Sequence, residues 1–213
     1  VALLLVAHEL QSGCAVPPEI GAMYGANNTS EARLSETLVR RLPAGSIVLA
    51  DSASGIFSVA YATVQAGHEV LFRLTKSRFK PLRRQAALVA EGDGYKTWRL
   101  RWTPSGKDRQ SHPELPEDAA VDVWLHEVLL DNGETLYLVT TLPVDARQAG
   151  EFYRRRYDLE HDIRDVKVTL KTECIRAKSV SMVKKELLTS IVAYNLVVQF
   201  RRQAAALAGV APR

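Results

Sequence analysis

Between residues 153 and 171 the stretch YRRRYDLEHDIRDVKVTLK sets cations and carboxylates at helical spacing. A helix turns about 100° per residue, so Arg156, Glu160, Arg164, Lys167 and Lys171 share one narrow sector with Tyr153. Phe152, Leu159, Ile163, Val166 and Leu170 form an apolar stripe beside that sector, and the stripe is expected to face the core. One carboxylate among cations and a tyrosine, at the rim of a core, is what a metal-assisted phosphodiester site requires: the carboxylate holds a cation and the bases hold phosphates. The same residues also suit a solvated surface helix, in which the Arg156–Glu160 and Glu160–Arg164 pairs contribute about 0.3 kcal/mol each.

Asp51 ends the run SIVLAD, and with Ser52 and Ser54 beside it has the setting of a cap on the helix that follows.

The elements that must position these groups are legible in outline. VALLLVAHEL is a continuous apolar run that stops at Gln11-Ser12-Gly13, and residues 14–25 can pair with it as a second strand. A start signal at Thr29 or Ser30, apolar Leu34, Leu38 and Leu42, and a stop at Pro43 and Gly45 mark a helix. SIVLADS is a short buried strand, followed by a helix from about Ile56 to Gly67 and by the strand HEVLFRL. Strand, strand, helix, strand, helix, strand is the order of an α/β layer. Beyond Arg73 the pattern changes. KTWRLRW alternates Trp98, Leu100 and Trp102 against Arg99 and Arg101, the period of a half-buried strand. VDVWLHEVLL and ETLYLVTTL flank Asp131-Asn132-Gly133, a hairpin signal. Two helices close the chain, one over roughly 146–170 and one over about 181–206, the latter expected to bury Leu188, Ile191, Val192, Leu196 and Val198 or Phe200.

Composition narrows the function classes. The chain has 213 residues, 46% hydrophobic and 24% charged, which is enough for a full core and excludes a disordered tail. VALLLVA is too short to span a membrane and lacks the basic flank of a signal peptide, so a cytoplasmic protein is expected. Cys14 and Cys174 have no companions at metal-ligand spacing, which argues against structural zinc or a disulfide, and the five scattered histidines need no catalytic role. Charge is divided into blocks: net −3 over residues 1–71, +8 over 72–110, −7 over 111–150 and +6 over 151–213. Two basic blocks flanking an acidic one favour a polyanionic partner.

The spacing Tyr153-x2-Arg156-x3-Glu160-x6-Lys167 resembles the Y-(2)-R-(3)-E-(6)-K signature of bacterial insertion-sequence transposases of the DDE class. LLTSIVAYNLVVQFRR after it is similar to the last helix of that family, GSIVLADSASGIFS to the segment bearing its second catalytic aspartate, and VLFRLTKS to the next strand. The resemblance implies an α/β, ribonuclease H-like mixed sheet flanked by helices, with a β-rich insertion before the C-terminal helices. Its parts would be residues 1–79 (first part of the core), 80–145 (insertion) and 146–213 (helices completing the core). It implies a nuclease and strand transferase in which three carboxylates hold two Mg2+ ions about 4 Å apart, Mn2+ substituting, and cut and join DNA without a covalent enzyme intermediate. Asp51 and Glu160 are then catalytic metal ligands, and Tyr153, Arg156, Lys167 and Arg73 face DNA. Arg164 joins them by helix geometry alone. The basic run Arg73, Lys76, Arg78, Lys80, Arg83, Arg84 could track a DNA backbone or be a solvated loop, and Trp98, Trp102 and Trp124 are candidates to stack on a flipped base or to fill the core.

Double-stranded DNA, both transposon ends and target, is the implied partner, held by a homodimer in a synaptic complex. The chain opens on Val1-Ala2-Leu3 inside an apolar run, so it is expected to be a piece of a larger domain whose first aspartate lies on a preceding strand. Glu9 sits on the wrong strand to replace it. A remnant that binds DNA without cutting, and a ribonuclease H-like nuclease outside transposition, remain alternatives.

Overall fold

The computed structural model describes residues 2–26, 28–156, 177 and 179–210. The chain divides into two compact units, Ser30–Arg154 and the pair of stretches Val1–Thr29 and Arg155–Arg213.

In the first unit a six-stranded mixed sheet runs in the order β3-β4-β8-β7-β6-β5, with β3 Ile47–Ala50, β4 Glu69–Arg73, β5 Ala87–Gly92, β6 Tyr95–Trp102, β7 Val121–Leu129 and β8 Thr135–Thr140. β3 and β4 are parallel, which requires a crossover, and α2 (Phe57–Gln65) supplies it. All other neighbours are antiparallel. The strands between residues 87 and 140 therefore continue the same sheet outward from β4.

Period-two alternation gives each strand two different faces. In β4, Val70 and Phe72 enter one core with Trp98, Leu100, Trp102, Val121, Val123, Leu125 and Val139, while Leu71 points into the other with Val128, Leu136 and Leu138. Burial of both faces explains why β4 reads as an unbroken apolar run. The first face is covered by α2, through Phe57, Val59 and Ala60, and by α3 (Lys76–Arg84), through Phe79. The second is covered by α5 (Ala146–Arg154), through Ala146, Ala149 and Tyr153. The architecture is the mixed α/β sheet flanked by helices expected of a ribonuclease H-like fold.

Three local signals act as the sequence indicates. Ser30 caps α1 (Glu31–Val39), its hydroxyl accepting from the Arg33 N–H at 3.2 Å, and Leu34 and Leu38 are buried. Gly133, at φ 82°, turns the β7–β8 hairpin. Trp98, Leu100 and Trp102 point inward from β6, edge-on to Phe79 in the case of Trp98 and to Phe57 in the case of Trp102. Ser105 closes a capping box on α4 (Gly106–Ser111), a short helix the alternating pattern does not announce.

The second unit holds β1 (Ala2–Leu5) and β2 (Glu19–Ala22), paired antiparallel as their own two-stranded sheet, and α6 (Val180–Ala208). Asn195 pins α6 to the turn between these strands like a strand partner: its Oδ1 accepts from the Ala15 N–H at 2.7 Å and its Nδ2 donates to the Ala15 carbonyl at 2.9 Å. Glu9 caps that turn, its carboxylate accepting from the backbone N–H groups of Gln11 and Ser12. Hydrogen bonding, with that of the Ser12 side chain first, holds its carboxyl below the usual carboxylate range.

Two helix phases differ from the sequence reading. α6 buries Leu187, Ile191, Tyr194 and Val198, whereas Leu188, Val192, Leu196 and Phe200 are exposed. α5 buries Ala146, Ala149 and Tyr153, whereas Phe152 is exposed. The physical reason in α5 is close approach: two alanines and Gly150, whose added Cβ would lie 3.8 Å from Val128, let the helix lie low on the sheet, and Tyr153 continues that face one turn on.

Candidate active site at the ends of β3 and β4

β3 and β4 deliver their last residues to one edge. Ala50 is paired with Phe72, so Asp51 and Arg73 follow side by side at the carboxyl ends of parallel strands, the usual location of ligand sites in such sheets. Both are exposed.

Asp51 begins a tight loop over residues 51–56. Its Oδ1 accepts from the Ala53 N–H at 2.9 Å, an Asx turn. This carboxylate does not cap the helix that follows: α2 begins after Ile56, which has no side-chain cap bond. Among the described residues nothing bonds or pairs with the second oxygen, Oδ2, or places a cation within ion-pair distance of Asp51. An exposed carboxylate with one oxygen fixed by the backbone and one open is the kind of donor a hard divalent cation takes. The described residues contain no group of three or more His, Cys, Asp or Glu that could hold a metal ion.

The loop is wedged against β4. An added Cβ on Gly55 would lie 2.3 Å from the Arg73 carbonyl oxygen, so only glycine allows the chain to pass there. From the other side Arg78 of α3 reaches back, its Nη1 donating to the Ser52 carbonyl and, at 3.3 Å, to the Gly55 carbonyl.

α3 starts two residues after β4. Thr75 caps it, accepting from the Arg78 N–H at 3.3 Å, and buried Phe79 holds it on the sheet, 4.7 Å from the ring of Tyr137. With Phe79 inward, Lys76, Lys80, Arg83 and Arg84 are exposed. Arg83 lies 3.8 Å from Glu127, whereas Arg73, Lys76, Lys80 and Arg84 have no ion-pair partner among the described residues. The basic run is thus a helix that presents unneutralised cations next to Asp51, an arrangement the interior Pro81 conceals in the sequence.

The other site residues are less evenly placed. Tyr153 is 1% exposed, packed among Leu71, Leu138, Ala146 and Ala149, so its ring has no face open to a base as packed. Arg156 is half-buried. Glu160, Arg164 and Lys167 lie outside the described residues. Trp98 and Trp102 are core residues, and half-buried Trp124 sits under Arg99, with the guanidinium carbon 4.9 Å from the ring centre. The contribution of Arg78 and Gly55 is invisible to motif reading: Arg78 reads as one more cation in a basic run, and Gly55 as an ordinary turn residue.

No helix among the described residues is long and apolar enough to cross a membrane. No curated protein matches the chain. Against known families, residues 12–196 match the transposase DDE domain, which covers the Asp51 loop, α3 and most of α6; the chain belongs to that family.

Proposed function

We infer that this chain, a transposase domain by family membership, acts on DNA with the nuclease chemistry and divalent metal general to its family. We propose that the protein carries out metal-dependent strand cleavage and strand transfer at insertion-sequence ends, with Mg2+ as the physiological ion. The single observation that supports this most is the edge formed by β3 and β4: an aspartate with an open oxygen beside four exposed cations, Arg73, Lys76, Lys80 and Arg84, that lack ion-pair partners among the described residues. Asp51, together with Glu160, would hold the ions, which when bound activate the attacking hydroxyl and stabilise the leaving oxygen.

This chain's own residues supply the rest. Arg73 and the exposed bases of α3 neutralise phosphates and fix the register of the backbone near Asp51, contacts that position DNA without reading its sequence. Arg156 and Lys167 would add further phosphate contacts, as the family resemblance implies, and Arg164 would join them by helix geometry. Tyr153 is better suited, as packed, to holding α5 on the sheet than to touching a base. Two copies, each engaging one end, would form the synaptic complex.

The test is cleavage of a labelled end duplex with Mg2+ or Mn2+ by the protein. Asp51→Asn and Glu160→Gln should each abolish cutting while leaving duplex binding within about twofold, since neither removes a phosphate contact. Duplex binding without cutting by the parent protein would favour a DNA-binding remnant, and unimpaired cutting by Glu160→Gln would remove that residue from the site.

A further inference from the structure

We propose that Arg78 is a positioning residue for Asp51: it holds the loop that aims the carboxylate while leaving the carboxylate's charge intact. The inference rests on the reading of Asp51 as a metal ligand.

The observation is where the guanidinium goes. α3 is a basic helix next to an open aspartate, and the simplest outcome would be an ion pair between them. Arg78 instead donates to two backbone carbonyls, Ser52 and Gly55, the residue just after Asp51 and the residue just before the end of the loop. Two bonds from one guanidinium nitrogen to carbonyls three residues apart fix the span between them. Inside that span the Ala53 N–H binds Asp51 Oδ1, and the Ile56 N–H binds the Ser54 carbonyl at 2.8 Å. Gly55, pressed on the Arg73 carbonyl, closes the third side. The loop is therefore held by its own carboxylate, by Arg78 and by the end of β4, and the direction of Asp51 Oδ2 follows from all three.

A direct Arg78–Asp51 pair would occupy the oxygen a cation needs and would oppose cation binding electrostatically. Binding the carbonyls avoids both effects, and groups that orient a metal ligand in this way commonly change metal affinity by about 10- to 100-fold when removed. The placement also separates Arg78 from its neighbours on α3: Lys76, Lys80 and Arg84 lack ion-pair partners among the described residues and suit phosphates, whereas Arg78 is engaged by protein.

Three measurements on the full protein test this, for the parent, Arg78→Ala, Arg78→Lys and Asp51→Asn: Mn2+ affinity by water-proton relaxation, hydrogen exchange across residues 51–57, and duplex affinity without metal. For Arg78→Ala the expected result is Mn2+ binding weakened about tenfold, faster exchange confined to the loop, unchanged exchange in β6 and β7, and duplex affinity within about twofold of the parent. Arg78→Lys should recover part of the Mn2+ affinity, since an ammonium can still donate to a carbonyl. If Arg78→Ala loses duplex affinity while loop exchange and Mn2+ binding stay at parent values, Arg78 is a phosphate contact and the proposal is wrong. If Asp51→Asn binds Mn2+ like the parent, the metal-ligand reading itself fails, whatever Arg78 does to loop exchange. If Asp51→Asn loses Mn2+ and Arg78→Ala does not, the metal reading stands and the positioning role alone is overturned.

Discussion

Two places in the Ser30–Arg154 unit gather charge, and they treat it in opposite ways. Where α1 meets the end of α4, Arg33 donates to Glu114 at 2.5 Å and to Glu36 at 3.4 Å, and His112 Nδ1 lies 3.7 Å from Glu36 and 3.4 Å from Glu114. Each acid there has a base beside it. At the ends of β3 and β4 the charges face outward without ion-pair partners among the described residues: Asp51 keeps an open oxygen, Arg73 and Lys76 have no acid, and Arg78 is bound to carbonyls. Equal density of charge is thus poor evidence of function. What separates the two places is where the counter-charge is, beside the group in the first and absent among the described residues in the second.

Substitution of one acid in each place gives the largest contrast. Asp51→Asn should lower metal-dependent cutting by about a thousandfold or more, the equivalent of several kcal/mol of transition-state stabilisation. Its effect on unfolding should stay within about 0.5 kcal/mol, because the Ala53 N–H keeps an amide oxygen to bond. Glu36→Gln should do the reverse, lowering the thermal midpoint with cutting preserved. Equal loss of cutting from both would erase the distinction. Next in size is Gly55→Ala. With a backbone oxygen 2.3 Å from the new Cβ, either the loop or the end of β4 must shift, at about 2 kcal/mol in chemical denaturation. Cutting should fall with it, because the displaced loop carries Asp51. A variant as stable and as active as the parent would show that the wedge does not aim the aspartate.

Much of this unit could be read from the chain because its signals are local and agree. The Asp131-Asn132-Gly133 turn sets the hairpin, the Trp98, Leu100, Trp102 alternation fixes which side of β6 is core, and SIVLAD ends where a sheet edge should present a side chain. What was not legible depends on choices local pattern leaves open. α6 carries apolar residues around most of its circumference, so Leu188, Val192 and Leu196 fit a stripe as well as Leu187, Ile191 and Tyr194 do; the bonds from Asn195 and Tyr194 to the 13–15 turn select the phase. In α5 two alanines outweigh Phe152 because small residues allow close contact with the sheet. α3 is hidden by Pro81 and by its six cations with Arg73, and the Thr75 cap with tertiary anchoring through Phe79 makes it a helix. The pairing of Arg78 with two carbonyls has no signature at all, since backbone acceptors have no letter in the sequence.

The smallest effects lie in the paired cluster, and they test whether its charges are satisfied by one another. Arg33→Ala takes a donor from Glu36, whose side chain is 11% exposed, and should cost about 1 kcal/mol, less than a buried pair because Arg33 itself is 45% exposed. The sharper readout is acid titration. The Arg33 hydrogen bond, the largest influence, holds the Glu114 carboxyl down at about 2, against an ordinary 4.5. A depressed acid stabilises the folded state fully above its unfolded value, and that contribution is lost as pH falls from about 4.5 toward 2. In Arg33→Ala the Glu114 carboxyl carbon should titrate above its parent value by NMR, moving toward the ordinary one, and the unfolding midpoint should lose part of its pH dependence in this window. If Glu114 still titrated near 2 without Arg33, the cluster would be drawing on another donor, and its contrast with Asp51 would have to rest on exposure rather than on pairing.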